Sequence, residues 1–471
     1  MKRELINVCQ GWNQGNVALM VIEKLQDEEG NMRKVARYIP DPDFHFYVSK
    51  EPLDVYRTFV EEELVDRVDC KYSELSLEIA KHSNRMGEYR AAMAGKNPYK
   101  ELRKLHFCKD VHSSDMNIVD YTMYEHYLKH KDNLAEFKLH KTYFDIEVDG
   151  YNYDDGFPHP DIAPCPINFI SYVDGDKKTL RLYILLNEEN KSMQEFIARN
   201  KGDCTNLWTH TNNDYIRNEL ENIYVDEKNP KNNLEGISVY WFKSELSLIK
   251  KFYEHVHANK ADYLSAWNAY FDFKTIYTRL KEHFGLDPED IMCPEAFKVK
   301  NITLREDEFQ ADLADKADTL DISGWQHNVD AQYLFAGLRK GEGKRESLKL
   351  GDVLLEELGE AKGEYEGTIS EAAYVNFELF MRYSGFDSYR LMQLENKNGD
   401  IDTLHMMANK LSHTRHAKVM RKTISIRNLA AKQFTTKGLI LSNNQNSFIE
   451  HEDFGKFKGA LEHERTVNSI N

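Results

Sequence analysis

Two acidic residues separated by one position are the first residues in this sequence whose spacing suits a chemical role. Asp145 and Glu147 lie in the run Lys141–Val148, whose aromatic and β-branched residues predict a strand. Residues i and i+2 of a strand face the same side, so the two carboxylates would project together. Adjacent anions are costly to bury without a cation, and such oxygen ligands favour Mg²⁺ or Mn²⁺. The alternative for an isolated Asp-x-Glu is a strand end with its acidic residues turned to solvent.

A third carboxylate lies at a predicted strand-to-helix junction. Asp272 ends the segment Asn268-Ala-Tyr-Phe271-Asp272, which follows a short apolar strand and leads into a helical pattern. Aspartate in the first turn of a helix also stabilises the helix dipole, so position alone does not identify a metal ligand.

A fourth carboxylate lies one helical turn after a tyrosine. Tyr383 and Asp387 fall within a long helical pattern that starts at the capping box of residues 368–371 and stops at Gly399. Their i, i+4 spacing places both on one face of the helix. The same spacing is typical of an ordinary surface pair.

Together these residues suit metal-assisted hydrolysis of a phosphodiester. Four carboxylates can hold two divalent cations about 3.5–4 Å apart, one activating a water and the other stabilising the leaving oxygen. The tyrosine hydroxyl, one turn from a ligand, can orient the attacking water.

The elements that would position these residues predict an α/β protein with more than one domain, because 471 residues exceed the usual size of one core. We predict an N-terminal mixed α/β domain over residues 1–135 and a catalytic domain over residues 136–402. The catalytic domain would include an antiparallel hairpin at 167–186 and a polar, Asn-rich insertion at 187–236. Residues 403–471 form a separate basic segment.

The N-terminal domain has no catalytic constellation. Its pattern predicts strands at 16–23, 32–39 and 40–48, and two charged, helix-leaning stretches at 53–68 and 73–94.

Charge is unevenly distributed along the chain. The net charge is −16, yet residues 403–449 contain no Asp or Glu. Such a block can bind a polyanion locally, with His405, His413 and His416 adding charge if protonated. The open alternative is a basic face that docks on the chain's own acidic parts. The basic residues selected as candidate DNA contacts are Lys418, Arg421, Lys422 and Arg427.

The cysteines and the apolar runs exclude other classes of protein. The six cysteines form no Cys-x-x-Cys pair, which argues against structural zinc and favours a reduced, intracellular setting. No apolar run approaches the ~20 residues that cross a bilayer, and the N-terminus lacks the apolar core of a signal peptide.

The three acidic motifs resemble, in type and order, those of the proofreading exonuclease of family B DNA polymerases, particularly the polymerases of T-even-like bacteriophages. The motifs here are Phe144-Asp145-Ile-Glu147, Asn268-Ala-Tyr-Phe271-Asp272 and Tyr383-Ser-Gly-Phe-Asp387. The resemblance extends to residues 346–355, 371–396 and 410–444.

The resemblance implies a fold, a site and partners. The fold would be an RNase H-like exonuclease domain (a mixed sheet flanked by helices) preceded by a separate N-terminal domain, against which the basic segment packs. Two Mg²⁺ or Mn²⁺ ions, DNA as a single-stranded 3′ end or primer-template, and the cytoplasm of an infected bacterial host are implied. Tyr383 would position the water and Asn268 and Phe271 would contact DNA. The implied metal ligands are Asp145, Glu147, Asp272 and Asp387.

The family's polymerase motifs do not occur in this sequence, so these residues cannot carry nucleotide addition. We therefore expect the N-terminal and 3′→5′ exonuclease part of a viral replicative polymerase, either split, with palm, fingers and thumb on a separate chain, or truncated. Two alternatives remain open at this point: a non-catalytic subunit that clamps DNA or docks a polymerase, and a stand-alone 3′→5′ exonuclease.

Overall fold

A computed structural model describes residues 1–199, 229–308, 312–316, 318–343, 345–359 and 367–443. The chain divides into two compact units. Unit 1 contains residues 1–42 and 117–433, and unit 2 contains residues 43–116 and the described residues from 434 onwards. Strand pairing, which composition does not reveal, changes partners near residue 43. The domain limits near 135 and 402 stay predictions. Most of the predicted insertion (200–228) and the end of the basic segment (444–471) lie outside the described residues.

The strands of the described residues differ widely in length. In chain order they are β1 (Lys2–Asn13), β2 (Asn16–Gln26), β3 (Met32–Pro40), β4 (Asp43–Ser49), β5 (Phe59–Glu61), β6 (Val65–Lys71), β7 (Val111–His112), β8 (Lys141–Val148), β9 (Ile167–Asp174), β10 (Thr179–Leu185), β11 (Gly236–Phe242), β12 (Tyr263–Ala266), β13 (Ile302–Arg305), β14 (Thr319–Ile322), β15 (His327–Asp330) and β16 (Leu439–Leu441).

The helices differ widely in length. In chain order they are α1 (Leu75–His82), α2 (Met86–Met93), α3 (Pro98–Arg103), α4 (Ile118–His130), α5 (Lys191–Arg199), α6 (Glu245–Asn259), α7 (Ala269–Thr278), α8 (Glu289–Met292), α9 (Ala331–Leu338), α10 (Leu350–Leu358), α11 (Ile369–Val375), α12 (Phe377–Asn398), α13 (Asp400–His405), α14 (His416–Val419) and α15 (Lys422–Thr435). Among the described residues, no helix is both long enough and apolar enough to cross a bilayer.

A six-stranded mixed sheet in unit 1 carries the acidic strand near its centre. Its order is β11-β10-β9-β8-β12-β15. Strand β9 is antiparallel to both β8 and β10, whereas β11 is parallel to β10, and β12 and β15 are parallel to β8. The predicted hairpin at 167–186 is therefore confirmed as β9 and β10. Helices cover both faces of the sheet, which confirms the predicted α/β fold class of a mixed sheet flanked by helices.

Alternation along β8 separates an apolar face from an acidic face, as the sequence predicts. Phe144 is fully buried and packs on Phe252 of α6 and Phe273 of α7, with ring centroids 5.4 and 5.0 Å away. On the opposite face of the sheet, Phe169 of β9 packs edge-on against Phe380 of α12 at 5.5 Å. Asp145 and Glu147 face the α12 side.

The N-terminal elements of unit 1 form a separate antiparallel sheet of order β1-β2-β3. The predicted strands at 16–23 and 32–39 are confirmed as β2 and β3, which pair from Ala18↔Pro40 to Gln26↔Met32. Glu23 of β2 is buried within this unit although it is charged.

Unit 2 shows where sequence propensity was misleading. The helix-leaning stretch 53–68 was predicted wrongly, because it contains β5 and most of β6. Pairing of β6 with β4 from Asp43↔Lys71 to Ser49↔Val65 satisfies the backbone of this charged segment and outweighs its local preference. The stretch 73–94 is helical as predicted, in α1 and α2. Strand β16 pairs antiparallel with β5.

The histidines of the basic block do not add to a charged surface, which corrects the expectation from the sequence. His405 and His413 are buried. Burial, aided by the charge of Lys432, lowers the pKa of His413 to about 3. His416 stacks on His327 with ring centroids 3.5 Å apart, and burial lowers its pKa well below the usual value. The imidazoles of His413 and His416 therefore stay neutral, because ionising them would cost their hydration.

Candidate acidic active site

Three of the four predicted carboxylates meet on one face of the central sheet. One carboxylate oxygen from each of Asp145, Glu147 and Asp387 lies within 4.8 Å of the other two. Asp145 and Glu147 are half-buried and Asp387 is buried. Residues 240 positions apart in the chain therefore form one group of oxygen donors.

An ion pair joins β8 to α12 in the same register that brings Asp387 to β8. Lys141 Nζ lies 2.7 Å from Glu395 Oε1 of α12 and 2.7 Å from Asp402 Oδ2. From Lys141 to Asp145 the strand advances about 13 Å. From Glu395 back to Asp387 the helix covers about 12 Å. Because these distances are nearly equal, a helix paired at Lys141–Glu395 and running antiparallel to β8 has Asp387 beside Asp145.

Asp272 completes the group from α7. Its carboxyl accepts a hydrogen bond from the backbone N–H of Ile146, in the part of β8 that extends past its pairing with β12. Burial, and then the negative charges of Asp330, Glu147 and Asp387, raise the pKa of Asp272 well above its ordinary value. Its Oδ2 is buried with no hydrogen-bond partner among the described residues. A buried carboxyl held among other carboxylates is costly to ionise unless a cation is present.

The donor set therefore fits divalent cations. All donors are carboxylate oxygens, which suit Mg²⁺ and Mn²⁺ better than softer metals. The unpartnered Oδ2 of Asp272 is the kind of buried atom that a bound cation would satisfy.

The chain bends sharply just before the helix that carries Asp272. Asn268 adopts a left-handed conformation (φ 64°, ψ 49°), which asparagine tolerates better than most residues. Its side chain makes no capping hydrogen bond to α7. The N-terminus of this helix must therefore be satisfied from elsewhere.

Asp330, which sequence reasoning missed, supplies that cap from a neighbouring strand. Its carboxyl accepts the N–H of Ala269, the first residue of α7, and its Oδ1 accepts the N–H groups of Gln332 and Tyr333 at 2.9 and 3.2 Å. Burial raises the pKa of Asp330 to about 7. One carboxyl thus caps two helices, one of which holds Asp272. The only sequence signal was an aspartate directly before the helical pattern of α9.

We expect Asp330→Ala to destabilise unit 1 and Asp330→Asn to restore most of the loss. The alanine removes the cap of α9 and the acceptor for Ala269, at a cost of about 1–2 kcal/mol. The asparagine amide oxygen can still accept these N–H groups. Urea denaturation followed by tryptophan fluorescence measures the difference. Equal midpoints for the wild type and the alanine variant would contradict the capping role.

Tyr383 lies on α12 one turn before Asp387 and is half-buried, on the helix that delivers the fourth carboxylate. The N-cap half of the predicted capping box is also present, since Thr368 Oγ1 accepts the N–H of Glu371 at 3.1 Å. The long helical pattern is divided at Asn376, whose side chain caps α12 by accepting the N–H of Leu379.

Aromatic side chains surround the loop that follows β8. Phe157, which sequence reasoning did not select, is 77% exposed, and its ring centroid lies 5.1 Å from that of Phe271. Tyr151 stacks on Tyr374 at 4.2 Å, and the Tyr374 hydroxyl donates to Asp149 Oδ2 at 2.6 Å. A solvent-exposed phenylalanine next to Phe271 offers an apolar surface to a flat ligand group.

The four candidate DNA contacts of the basic block differ in exposure. Lys422 is exposed at the start of α15, whereas Lys418 and Arg427 are half-buried. Arg421 is exposed, but its Nη2 lies 3.1 Å from Asp307 Oδ2.

Other basic residues of the same block pair with the chain's own carboxylates. Arg415 Nη1 lies 3.1 Å from Asp120 Oδ2, and Lys410 Nζ lies 2.8 Å from Glu136 Oε1. Part of the basic block therefore pairs with carboxylates of unit 1. This agrees with the alternative that the basic face docks on the chain's own acidic parts.

Comparison with known proteins identifies the central part of the chain. Residues 106–325 match the family described as DNA polymerase family B, exonuclease domain. This segment contains Asp145, Glu147 and Asp272, whereas Tyr383 and Asp387 follow it. The chain is also similar to the DNA-directed DNA polymerase of Escherichia phage RB69, with 24% identity over 262 residues. Those residues are 55% of this chain but only 26% of that polymerase.

Proposed function

We propose, from the match of residues 106–325 to the exonuclease domain of family B DNA polymerases, that this chain hydrolyses 3′-terminal nucleotides from single-stranded or mispaired DNA. The observation that carries the proposal is the meeting of Asp145, Glu147 and Asp387 within 4.8 Å, with Asp272 acting electrostatically on the same group. After burial, the groups that act most strongly on Asp272 are the carboxylates of Asp330 and Glu147.

Asp145, Glu147, Asp272 and Asp387 would hold two Mg²⁺ or Mn²⁺ ions. When bound, such ions would lower the pKa of a bound water, which makes hydroxide available to attack phosphorus. They would also neutralise the charge that develops on the phosphate oxygens. The protein provides fixed carboxylates on three rigid elements, β8, α7 and α12, so no loop has to rearrange to assemble the ligands.

Two kinds of side chain would act on the substrate directly. The hydroxyl of Tyr383 would orient the attacking water, since it lies one helical turn from Asp387. Phe271 and Asn268 would contact the terminal nucleotides, with Phe157 extending the aromatic surface. Bases can stack on these rings only when they are unpaired, which would favour frayed 3′ ends over duplex.

The aromatic contact can be tested separately from the chemistry. Phe157→Ala is expected to raise KM for a single-stranded oligonucleotide about tenfold with a smaller change in kcat, because stacking on one aromatic ring contributes about 1–3 kcal/mol per base. Tyr99→Ala, which removes a similarly exposed ring (71%) from α3 of unit 2, is the matched control. Equal KM values for the two variants would remove Phe157 from the substrate site.

The same proposal includes a polymerase partner. The chain matches only about a quarter of the phage polymerase and has none of the family's polymerase motifs. Excised ends would pass to a polymerase site formed by palm, fingers and thumb during viral DNA replication, carried either on another chain or on a longer form of this protein. Lys418, Arg421, Lys422 and Arg427 would help to hold the primer-template.

The deciding experiment follows degradation from each end of one oligonucleotide. A single strand labelled at its 5′ end should give a ladder that shortens from the 3′ end with Mg²⁺ and none with EDTA. A phosphorothioate at the 3′-terminal linkage should slow the first cut. Products that shorten from the 5′ end, or the absence of Mg²⁺-dependent products, would overturn the proposal.

A further inference from the structure

A second cluster of metal-ligating side chains lies in unit 1, outside the acidic site. It consists of Glu23 on β2 and His126 and His130 on α4, with one ligand atom of each lying within 4.8 Å of the other two. We propose that these three residues bind one divalent transition-metal ion of the zinc class.

The fold positions these residues by ordinary helix and sheet geometry. Glu23 is buried on β2, in register with Leu5 of β1, and α4 packs against β1. His126 and His130 are four residues apart on α4 and so lie on the same face of the helix. This His-x-x-x-His spacing is the one that places two imidazoles on a single zinc ion in helical metal sites. His126 Nε2 lies 2.7 Å from Glu23 Oε1.

A cation already occupies the centre of this cluster. Arg3 Nη1 lies 3.2 Å from Glu23 Oε1 and 3.1 Å from His130 Nε2. Because arginine only donates hydrogen bonds, Nε2 of His130 must accept, and its lone pair points into the cluster. The Arg3 side chain is 20% exposed, so it can turn towards solvent when a metal ion enters. Arg3 is thus a competitor for the site.

The hydrogen-bond directions in the cluster favour metal binding. Nε2 of His130 accepts from Arg3 and therefore carries a lone pair that a metal ion can use. Glu23 Oε1 accepts from both His126 Nε2 and Arg3 Nη1, so its lone pairs also point into the cluster. His126 now donates from Nε2 to Glu23, and it would ligate through Nε2 after moving its proton to Nδ1.

The ligand set differs in kind from the acidic site. Two imidazoles and one carboxylate suit Zn²⁺ or Co²⁺ and leave further positions for water, whereas four carboxylates suit Mg²⁺. The sequence has no Cys-x-x-Cys pair, but this argues only against zinc sites built from cysteine. The proposed site contains no cysteine. Neither Glu23 nor the two histidines take part in the proposed hydrolysis, so this inference stands apart from the proposed function.

Cobalt titration of the full chain tests the proposal. Asp145→Ala and Asp272→Ala are introduced first so that the acidic site does not contribute, and Co²⁺ binding is followed by visible absorption. We expect one ion per chain with the strong bands of low-coordinate cobalt. Since even the outer partners of metal ligands change affinity by about 10–100-fold, His130→Ala should weaken binding by at least about tenfold. His45→Ala, at a half-buried histidine of β4, should leave it unchanged.

Arg3→Gln provides an independent outcome if a ligand variant fails to fold. Removing the competing guanidinium should tighten Co²⁺ binding, and Zn²⁺ should then displace the bound Co²⁺. Equal affinity in the His130→Ala and His45→Ala chains, no absorption bands, or no tightening in the Arg3→Gln chain would each show that the cluster is an ion-pair network without a metal.

Discussion

The double variant Asp145→Ala/Asp272→Ala is expected to lose at least about 10³-fold of the Mg²⁺-dependent 3′→5′ exonuclease rate. Removing two ligands from two different elements abolishes the charge stabilisation that the cations supply, and several kcal/mol of barrier correspond to this factor. Single-turnover digestion of a 5′-labelled single strand at saturating Mg²⁺ measures the rate. The full wild-type rate in this variant would exclude the acidic group as the active site.

A matched control separates loss of ligands from loss of charge. Asp154→Ala/Asp155→Ala also removes two negative charges, from exposed positions in the loop after β8, and should retain most of the rate. If both double variants lost activity equally, the effect would be general electrostatics and not ligation.

The Asp145→Ala/Asp272→Ala variant should not lose stability in the absence of metal. The raised pKa of Asp272 means that its ionised form is destabilised by burial and by Asp330, Glu147 and Asp387. Removing a repelled buried carboxyl relieves that cost, so the denaturation midpoint in EDTA should stay level or rise. Added Mg²⁺ should stabilise the wild type more than the variant, because only the wild type can bind it fully. An unfolded variant would therefore contradict the account of the site.

Local spacing was enough to predict most of the acidic group. The i, i+2 rule placed Asp145 and Glu147 on one face of β8, and the i, i+4 rule placed Tyr383 and Asp387 on one face of α12. These rules require only knowing whether a segment is a strand or a helix. Apolar alternation indicated the strand, and a capping-box sequence indicated the helix. The meeting of β8 with α12 did not follow from spacing, because it depends on tertiary contacts such as the Lys141–Glu395 pair and the packing of Phe380 on Phe169.

Features that depend on distant contacts could not be read from the sequence. Asp330 resembles an ordinary N-cap of α9, and only the adjacency of β12 and β15 brings it to Ala269 of α7. The stretch 53–68 has helix-leaning composition, yet it contributes β5, which pairs with β16, and the start of β6, which pairs with β4. His413 looked like part of a basic surface until burial was known. In each case tertiary contacts outweighed a local preference.

Tyr383→Phe is expected to lower the exonuclease rate about 10²-fold while leaving Mg²⁺ binding and folding unchanged. The phenylalanine keeps the ring and its packing on α12 and removes only the hydroxyl proposed to orient the attacking water, and misplacement of a reactant by about 1 Å costs a factor of this size. The loss should therefore fall on kcat and not on KM.

Tyr389→Phe is the matched control for this prediction, since it makes the same change at a buried position two residues after Asp387 on the same helix. Its rate should stay within a few-fold of the wild type, because its ring lies in the core and not among the carboxylates. If Tyr383→Phe retained the same rate as Tyr389→Phe, the water would have to be oriented by the carboxylates alone. In that case α12 would contribute only Asp387 to the reaction.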